Sequence, residues 1–170
     1  IEFTLNQSLA SRQHLSVLYV EHNKADVELT QHYFKKYAPN LHLTVVSNGD
    51  EVLKLLPEPG DSPNNFDILL LDYKLTGLNA LEISKTIRQV RKLPIAIVIV
   101  TGQGDEKIAV EALKIGIDDY IVKSKNYLIR LPSTITSAFR RRELERQKLA
   151  LMLSETKYRL LADYASDWEY

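Results

Sequence analysis

Apolar residues fall in short blocks along this chain, and the blocks alternate between two periods. Residues 16–20, 41–46, 67–71, 95–100 and 118–122 are strand-length runs rich in β-branched, aromatic and aliphatic side chains. Between them, apolar positions recur at helical spacing. The first such stretch, 24–37, carries Ala25, Val27, Leu29, Tyr33, Phe34 and Tyr37, and the next runs from Gly49 through Val52, Leu53, Leu55 and Leu56. A third spans Ala80 to Arg91, and a fourth carries Ile108, Ala109, Ala112, Leu113 and Ile115. The punctuation agrees. Asn48 and Asp105 stand where helix caps are expected, Gly116 where a helix closes, and 57–65 (PEPGDSPNN) has loop composition. Strands alternating with helices of this length imply right-handed crossovers and a parallel sheet.

Two ends of the chain break the alternation. Residues 1–15 show no period and read as a tail. From Pro132, which suits the first turn of a helix, to about Asp163 there is no Gly or Pro. This reads as a long helix leaving the globular body. Its apolar positions recur unevenly, and a dimeric coiled coil there would be interrupted around Arg142 and Glu145.

Composition narrows the function. The 170 residues suffice for one domain and an appendage, and Lys+Arg balance Asp+Glu at 22 each, so no global field favours nucleic acid or an anionic membrane. The basic run Arg140–Arg142 is interleaved with acids and reads as a solvated helix face. With no cysteine, disulfides, thiolate metal sites and Cys nucleophiles are excluded, and the chain suits a reducing, cytoplasmic compartment. No apolar run approaches the roughly 20 residues of a membrane span. The chain begins at Ile1 and stops inside what reads as another element, so a piece of a longer protein is expected.

Candidate chemistry sits where the strands end. The apolar runs stop at Glu21, Asp72, Thr101 and Lys123. In an open parallel sheet the C-terminal strand ends share one edge, and ligands bind there where the strand order reverses. Two carboxylates about 4 Å apart repel by roughly 4 kcal/mol at an effective dielectric of 20. A divalent cation or the Lys123 ammonium would relieve that repulsion. Oxygen ligands suit Mg²⁺. Asp72 is then a candidate nucleophile toward a phosphoryl group, with Lys123 neutralising charge and Thr101 donating a hydrogen bond. His14, His32 and His42 share no ligand spacing, and Gly102-Gln103-Gly104 is too short for a nucleotide fingerprint.

The segments LYVEHNKADVELT, DILLLDYKLTGLNALEI and IVIVTGQGDEKIAVEALKIGIDDYIVK resemble a response-regulator receiver domain from about Ser16 to Lys123 and through the following helix. The resemblance implies an α/β, flavodoxin-like, doubly wound five-stranded parallel sheet of order 2-1-3-4-5 with a long C-terminal helix. It implies that Asp72 accepts phosphate from a histidine kinase or a histidine phosphotransfer protein. Glu21, Asp72 and the backbone carbonyl of Lys74 would hold Mg²⁺ or Mn²⁺. Thr101 would be the phosphate-sensing hydroxyl, Lys123 the salt-bridging amine and Tyr120 the switch aromatic. The domain would not be an enzyme with its own substrate, since a hydrolase of this kind would need an Asp where Lys74 stands.

One departure matters. Where the family has a second metal-binding acid, this chain has His22. Imidazole is a poor Mg²⁺ ligand and favours softer ions. His22 either points away, hydrogen-bonds Asp72, or joins the metal. A phosphorylation-independent pseudo-receiver, serving dimerisation or docking, stays open for the same reason. Thr76, where the family often has Pro, is expected to loosen its loop. Residues 155–170 (ETKYRLLADYASDWEY) resemble the start of a PAS sensor domain, with Trp168 and Tyr170 in its first strand. The expected organisation is a tail at 1–15, a receiver at 16–131, a linker helix at 132–163 whose start completes the receiver, and a PAS-like start at 164–170. An effector domain would follow in the same chain, a homodimer would form through the helix, and neither nucleic acid nor membrane would be bound by this part.

Overall fold

A computed structural model describes residues 14–61, 64–102 and 104–168, so residues 1–13 of the expected tail, Gln103 and Tyr170 lie outside the described residues, while Leu15, expected in that tail, opens the first strand. Five strands form one parallel sheet: β1 (Leu15–Val20), β2 (Leu41–Val46), β3 (Ile68–Asp72), β4 (Ala96–Thr101) and β5 (Asp119–Val122). Their order is β2-β1-β3-β4-β5, all neighbours running parallel. This is the flavodoxin-like arrangement expected from the sequence.

The period-two alternation splits the core into two layers. Val17, Tyr19, Ile68, Leu70, Val98 and Val100 face one side, together with Phe34, Leu131, Ile135 and Ala138. These last come from α1 (Lys24–Tyr37) and α5 (Tyr127–Ser166). Leu18, Val20, Leu69, Leu71, Ile97 and Ile99 face the other, together with Val52, Ile83, Ile87 and Ala112. Those belong to α2 (Gly49–Leu55), α3 (Ala80–Lys85 with its extension) and α4 (Glu106–Ile115). Each fully buried Leu or Ile contributes roughly 1.5–3 kcal/mol of hydrophobic stabilisation, so the central strands are where the fold is least tolerant of change.

The helix ends show why the elements stop where they do. Asn23 and Asn48 accept hydrogen bonds from backbone N–H groups at the starts of α1 and α2. Asn79 and Glu82 form a reciprocal capping box at the start of α3. Gly116 closes α4 in the left-handed conformation, φ 106°. Asp105 differs from expectation: its side chain makes no cap bond, and its carbonyl accepts from Ile108 and Ala109 instead.

Three further expectations are corrected. The stretch 80–91 is not one α-helix: after Lys85 it widens into a π-helix over Thr86–Val90, with the Arg91 N–H reaching the Thr86 carbonyl at 2.9 Å. The wider turn keeps Ile87 in the core and leaves Arg88 aimed at the opening of β5. The last helix starts at Tyr127, not Pro132, and runs 40 residues with Pro132 inside it. Asn126 adopts φ 65° and the Tyr127 N–H bonds to Ser124, so a tight turn after β5 starts the helix early. Asp167 and Trp168 form a turn closing that helix, so Trp168 is not in a strand; its ring lies 5.9 Å from that of Tyr164.

At the N-terminal edge of the sheet, Asp118 gathers the fold. Its Oδ2 accepts from Arg88 at 2.9 Å and from the Ile97 N–H at 2.7 Å, and its Oδ1 accepts from the Arg142 Nε at 2.9 Å. The Gly116 carbonyl accepts from both arginines. Arg142 and Arg141, which bonds Asp119 at 3.1 Å, therefore tie α5 to β5 rather than forming a purely solvated face. Past them α5 leaves the body, and Leu144, Leu151, Tyr158, Leu161 and Trp168 are exposed.

Candidate functional site

The sheet order reverses between β1 and β3, and the polar cluster sits at their C-terminal ends. Register makes this so. Val20 pairs with Leu71, Asp72 with Val100, and Thr101 with Val122, so Glu21, Asp72, Thr101 and Lys123 emerge level with one another. Glu21 is 1% exposed and Asp72 6%. Thr101 is also buried.

The Lys123 ammonium is the hub. It lies 2.9 Å from Glu21 Oε2, 2.8 Å from Asp26 Oδ2 and 3.4 Å from Asp72 Oδ1. The backbone fixes its origin, since the Lys123 N–H donates to the Thr101 carbonyl at 2.7 Å. Glu21 is held from the other side by the Asn23 N–H at 3.0 Å. Asn23 then caps α1 and so places Asp26 in its first turn, where the helix dipole favours an acid. Sequence reasoning missed Asp26. The signal was available, because an acid in the first turn of the helix after β1 stands at the same edge as the strand ends.

Charge is unfinished here. Three carboxylates face one ammonium. Burial raises the Asp72 carboxyl above its ordinary range to about 6, with the Glu21 charge adding to the rise and Lys123 opposing it. Burial works against the Lys123 ammonium, but hydrogen bonds to Asp26 and Glu21 and the charge of Asp72 outweigh it and hold its pKa above the usual lysine value. Such a pocket has room in its charge balance for one divalent cation. Glu21, His22 and Asp72 each offer a ligand atom, all within 4.8 Å of one another. The His22 Nδ1 lies 3.5 Å from Glu21 Oε1 and 4.0 Å from Asp72 Oδ2, and this side chain is 46% exposed. Two buried carboxylates fit a hard cation, and the imidazole adds a nitrogen to the donor set.

Two other expected residues belong to the segments that carry the pocket. Lys74 follows Asp72 by two positions, with an exposed side chain. Tyr120, in β5 opposite Ile99, is half-buried against the core layer of α3 and α4. In the loop after β3 the Thr76 carbonyl accepts from the Gly49 N–H at 3.1 Å. Gly77 has φ 77°, and the Leu78 N–H bonds to Asp50 at 3.3 Å. His14 and His42 do meet, at 3.2 Å, across the start of β1 and β2, away from this pocket.

Comparison with known proteins agrees with this geometry. The chain is 29% identical over 132 residues to the methanogenesis regulatory protein FilR1 of Methanothrix harundinacea (strain 6Ac), covering 77% of this chain and 29% of that protein. It therefore spans less than a third of that relative's length. Full-length FixJ from B. japonicum superimposes with a TM-score of 0.67 at 25% identity, over 82% of this chain and 64% of that one. The Mn(2+)-bound form of response regulator Rcp1 does so with a TM-score of 0.60 at 25% identity, over 70% and 90%. The response regulator receiver domain family matches residues 17–130, and the chain belongs to that family of two-component signalling modules.

Proposed function

We propose that this chain is a phosphoacceptor receiver module whose Asp72 takes a phosphoryl group from a phosphohistidine donor. The supporting observation is the meeting of Asp72 with Lys123, at 3.4 Å, beside the buried Glu21. In the transfer, an Asp72 carboxylate oxygen forms a bond to phosphorus while the phosphorus–nitrogen bond of the donor breaks. The electron pair stays on the donor imidazole, which takes up a proton. Lys123 supplies a fixed positive charge for the phosphoryl oxygens, and the Thr101 hydroxyl donates to one of them. Glu21, Asp72 and the Lys74 carbonyl would hold a divalent cation, Mg²⁺ or Mn²⁺. When bound, that ion neutralises charge on the transferring group.

Response regulators of two-component systems work with histidine kinases, so a kinase or a histidine phosphotransfer protein is the proposed donor, in the cytoplasm. No helix among the described residues is long and apolar enough to cross a membrane. Phosphorylation would close Thr101 and Lys123 on the phosphoryl group and turn Tyr120. The change would leave through α5, acting as a linker that pairs with a second copy and leads to a PAS-like domain from about residue 164 and an effector beyond. A 1:99 to 99:1 shift needs about 5.5 kcal/mol, within reach of charge-assisted bonds in a partly dry pocket.

Incubation with a small acyl-phosphate donor and a divalent cation tests this. Intact mass of the wild type should rise by one phosphoryl group, and Asp72→Ala should not change. No gain in the wild type, or an equal gain in the variant, overturns the assignment. One residue favours the rival reading, a docking module indifferent to phosphate: His22 occupies a place where the family has an acid. Failure of the wild type to gain mass would turn the balance toward it.

A further inference from the structure

We propose that His22 is itself a ligand in the edge pocket and makes that pocket selective for Mn²⁺, and for other divalent ions that accept imidazole, over Mg²⁺. This rests on the reading of Glu21 and Asp72 as cation-binding residues. The carboxylates are the fixed part. Glu21 is tied to Lys123 and to the Asn23 N–H, and Asp72 is the last residue of a buried strand. The imidazole is the adjustable part, since its side chain is half-exposed and its Nδ1 already faces both acids, at 3.5 and 4.0 Å.

Donor spacing supports a shared ion. On a six-coordinate ion with bonds near 2.1 Å, neighbouring donors stand about 3 Å apart and opposite donors about 4.2 Å. The two spacings from Nδ1 fall within that range, so the exposed ring needs only a small movement to complete the set. Charge points the same way. Lys123 spreads one positive charge over Glu21, Asp26 and Asp72. Two negative charges remain, the number a divalent cation cancels and a neutral imidazole leaves untouched.

Nitrogen decides which ion. Mg²⁺ is hard, keeps its waters and binds oxygen. Mn²⁺, Fe²⁺, Co²⁺ and Zn²⁺ accept mixed imidazole and carboxylate sets. Replacing an oxygen ligand by imidazole therefore costs Mg²⁺ more than it costs Mn²⁺. His22→Asp restores an all-oxygen set and should move the preference back.

The test titrates the full chain and His22→Asp with Mn²⁺, following free Mn²⁺ by electron paramagnetic resonance, with Mg²⁺ as competitor. The Mn²⁺ preference over Mg²⁺ should be about tenfold larger in the wild type than in His22→Asp. Bound Mn²⁺ in the wild type should also show electron spin-echo modulation from a directly coordinated imidazole ¹⁴N, absent in the variant. The His14–His42 pair is a second possible source of nitrogen, so the difference between the two proteins carries the assignment. Equal preference in both proteins, or bound Mn²⁺ without ¹⁴N modulation, overturns the inference. Those results would leave the cation site standing, whereas failure of both proteins to bind either ion would remove the site as well. Phosphoryl uptake at Asp72, read by mass, is a separate measurement.

Discussion

The two edges of the sheet each carry a cluster of buried charge, and they are built in opposite ways. At the N-terminal edge one acid, Asp118, meets two arginines, and the surplus donors of Arg88 and Arg142 are taken up by the carbonyls of Gly116 and Leu93. At the C-terminal edge three acids meet one amine, and Asp72 is left with the longest of the three contacts to Lys123. Burial pulls Arg88 down to about 10, with the charge of Arg142 adding to the fall and Asp118 opposing it, so the guanidinium still stays charged at neutral pH. Burial pushes Asp72 up to about 6, close to where its charge can be changed. The first cluster is satisfied by the protein alone and acts as a clamp. The second keeps a surplus of negative charge that, on the proposed reading, a divalent cation would complete, and that difference would separate a structural charge cluster from a functional one.

The contrast can be broken from either side. The largest effect belongs to the clamp: Asp118→Ala strands two poorly solvated guanidinium groups and should cost about 3–5 kcal/mol, read by urea unfolding. At the other edge the sign reverses. A carboxyl raised in the folded state binds its proton more tightly there than in the unfolded chain, so stability falls as pH rises from about 4 to about 6 and stays lowered above. Asp72→Asn should remove that loss and stabilise the metal-free protein by about 2–3 kcal/mol at pH 7, with little effect at pH 4. A smooth, unchanged pH profile would show that Asp72 is not strained.

Asp26→Asn sharpens the comparison within the pocket. Relieved of one partner, Lys123 should turn further toward Asp72 and lower its titration midpoint by less than about one pH unit, seen in the Asp72 carboxyl carbon resonance. The smallest effect is expected of Arg141→Ala, whose pair with Asp119 is exposed, at about 0–0.5 kcal/mol in the same unfolding measurement.

Most of the fold was legible in the sequence because strand-length apolar runs and capped helical faces alternate without ambiguity. The four strand-end residues were legible for the same reason: each is the polar residue at which an apolar run stops. Long-range partners were not. Nothing in local periodicity says that Arg88 and Arg142 share Asp118, or that Arg88 sits in a π-turn over Thr86–Val90. Asp26 was not singled out, because its partner lies 97 positions away. Pro132 misled the reading of the last helix, since its ring suits a first turn and its placement in a second depends on the turn at Asn126.

The clamp at Asp118 grips α5 at Arg142, and roughly 24 residues of helix continue beyond that grip, a projecting arm about 36 Å long. An arm held at its base magnifies whatever happens there. A tilt of about 5° at the grip sweeps the far tip through about 3 Å, more than half a helical turn's rise. Small rearrangements near β5 would thus arrive at the distal end as displacements large enough to re-register one packed surface against another.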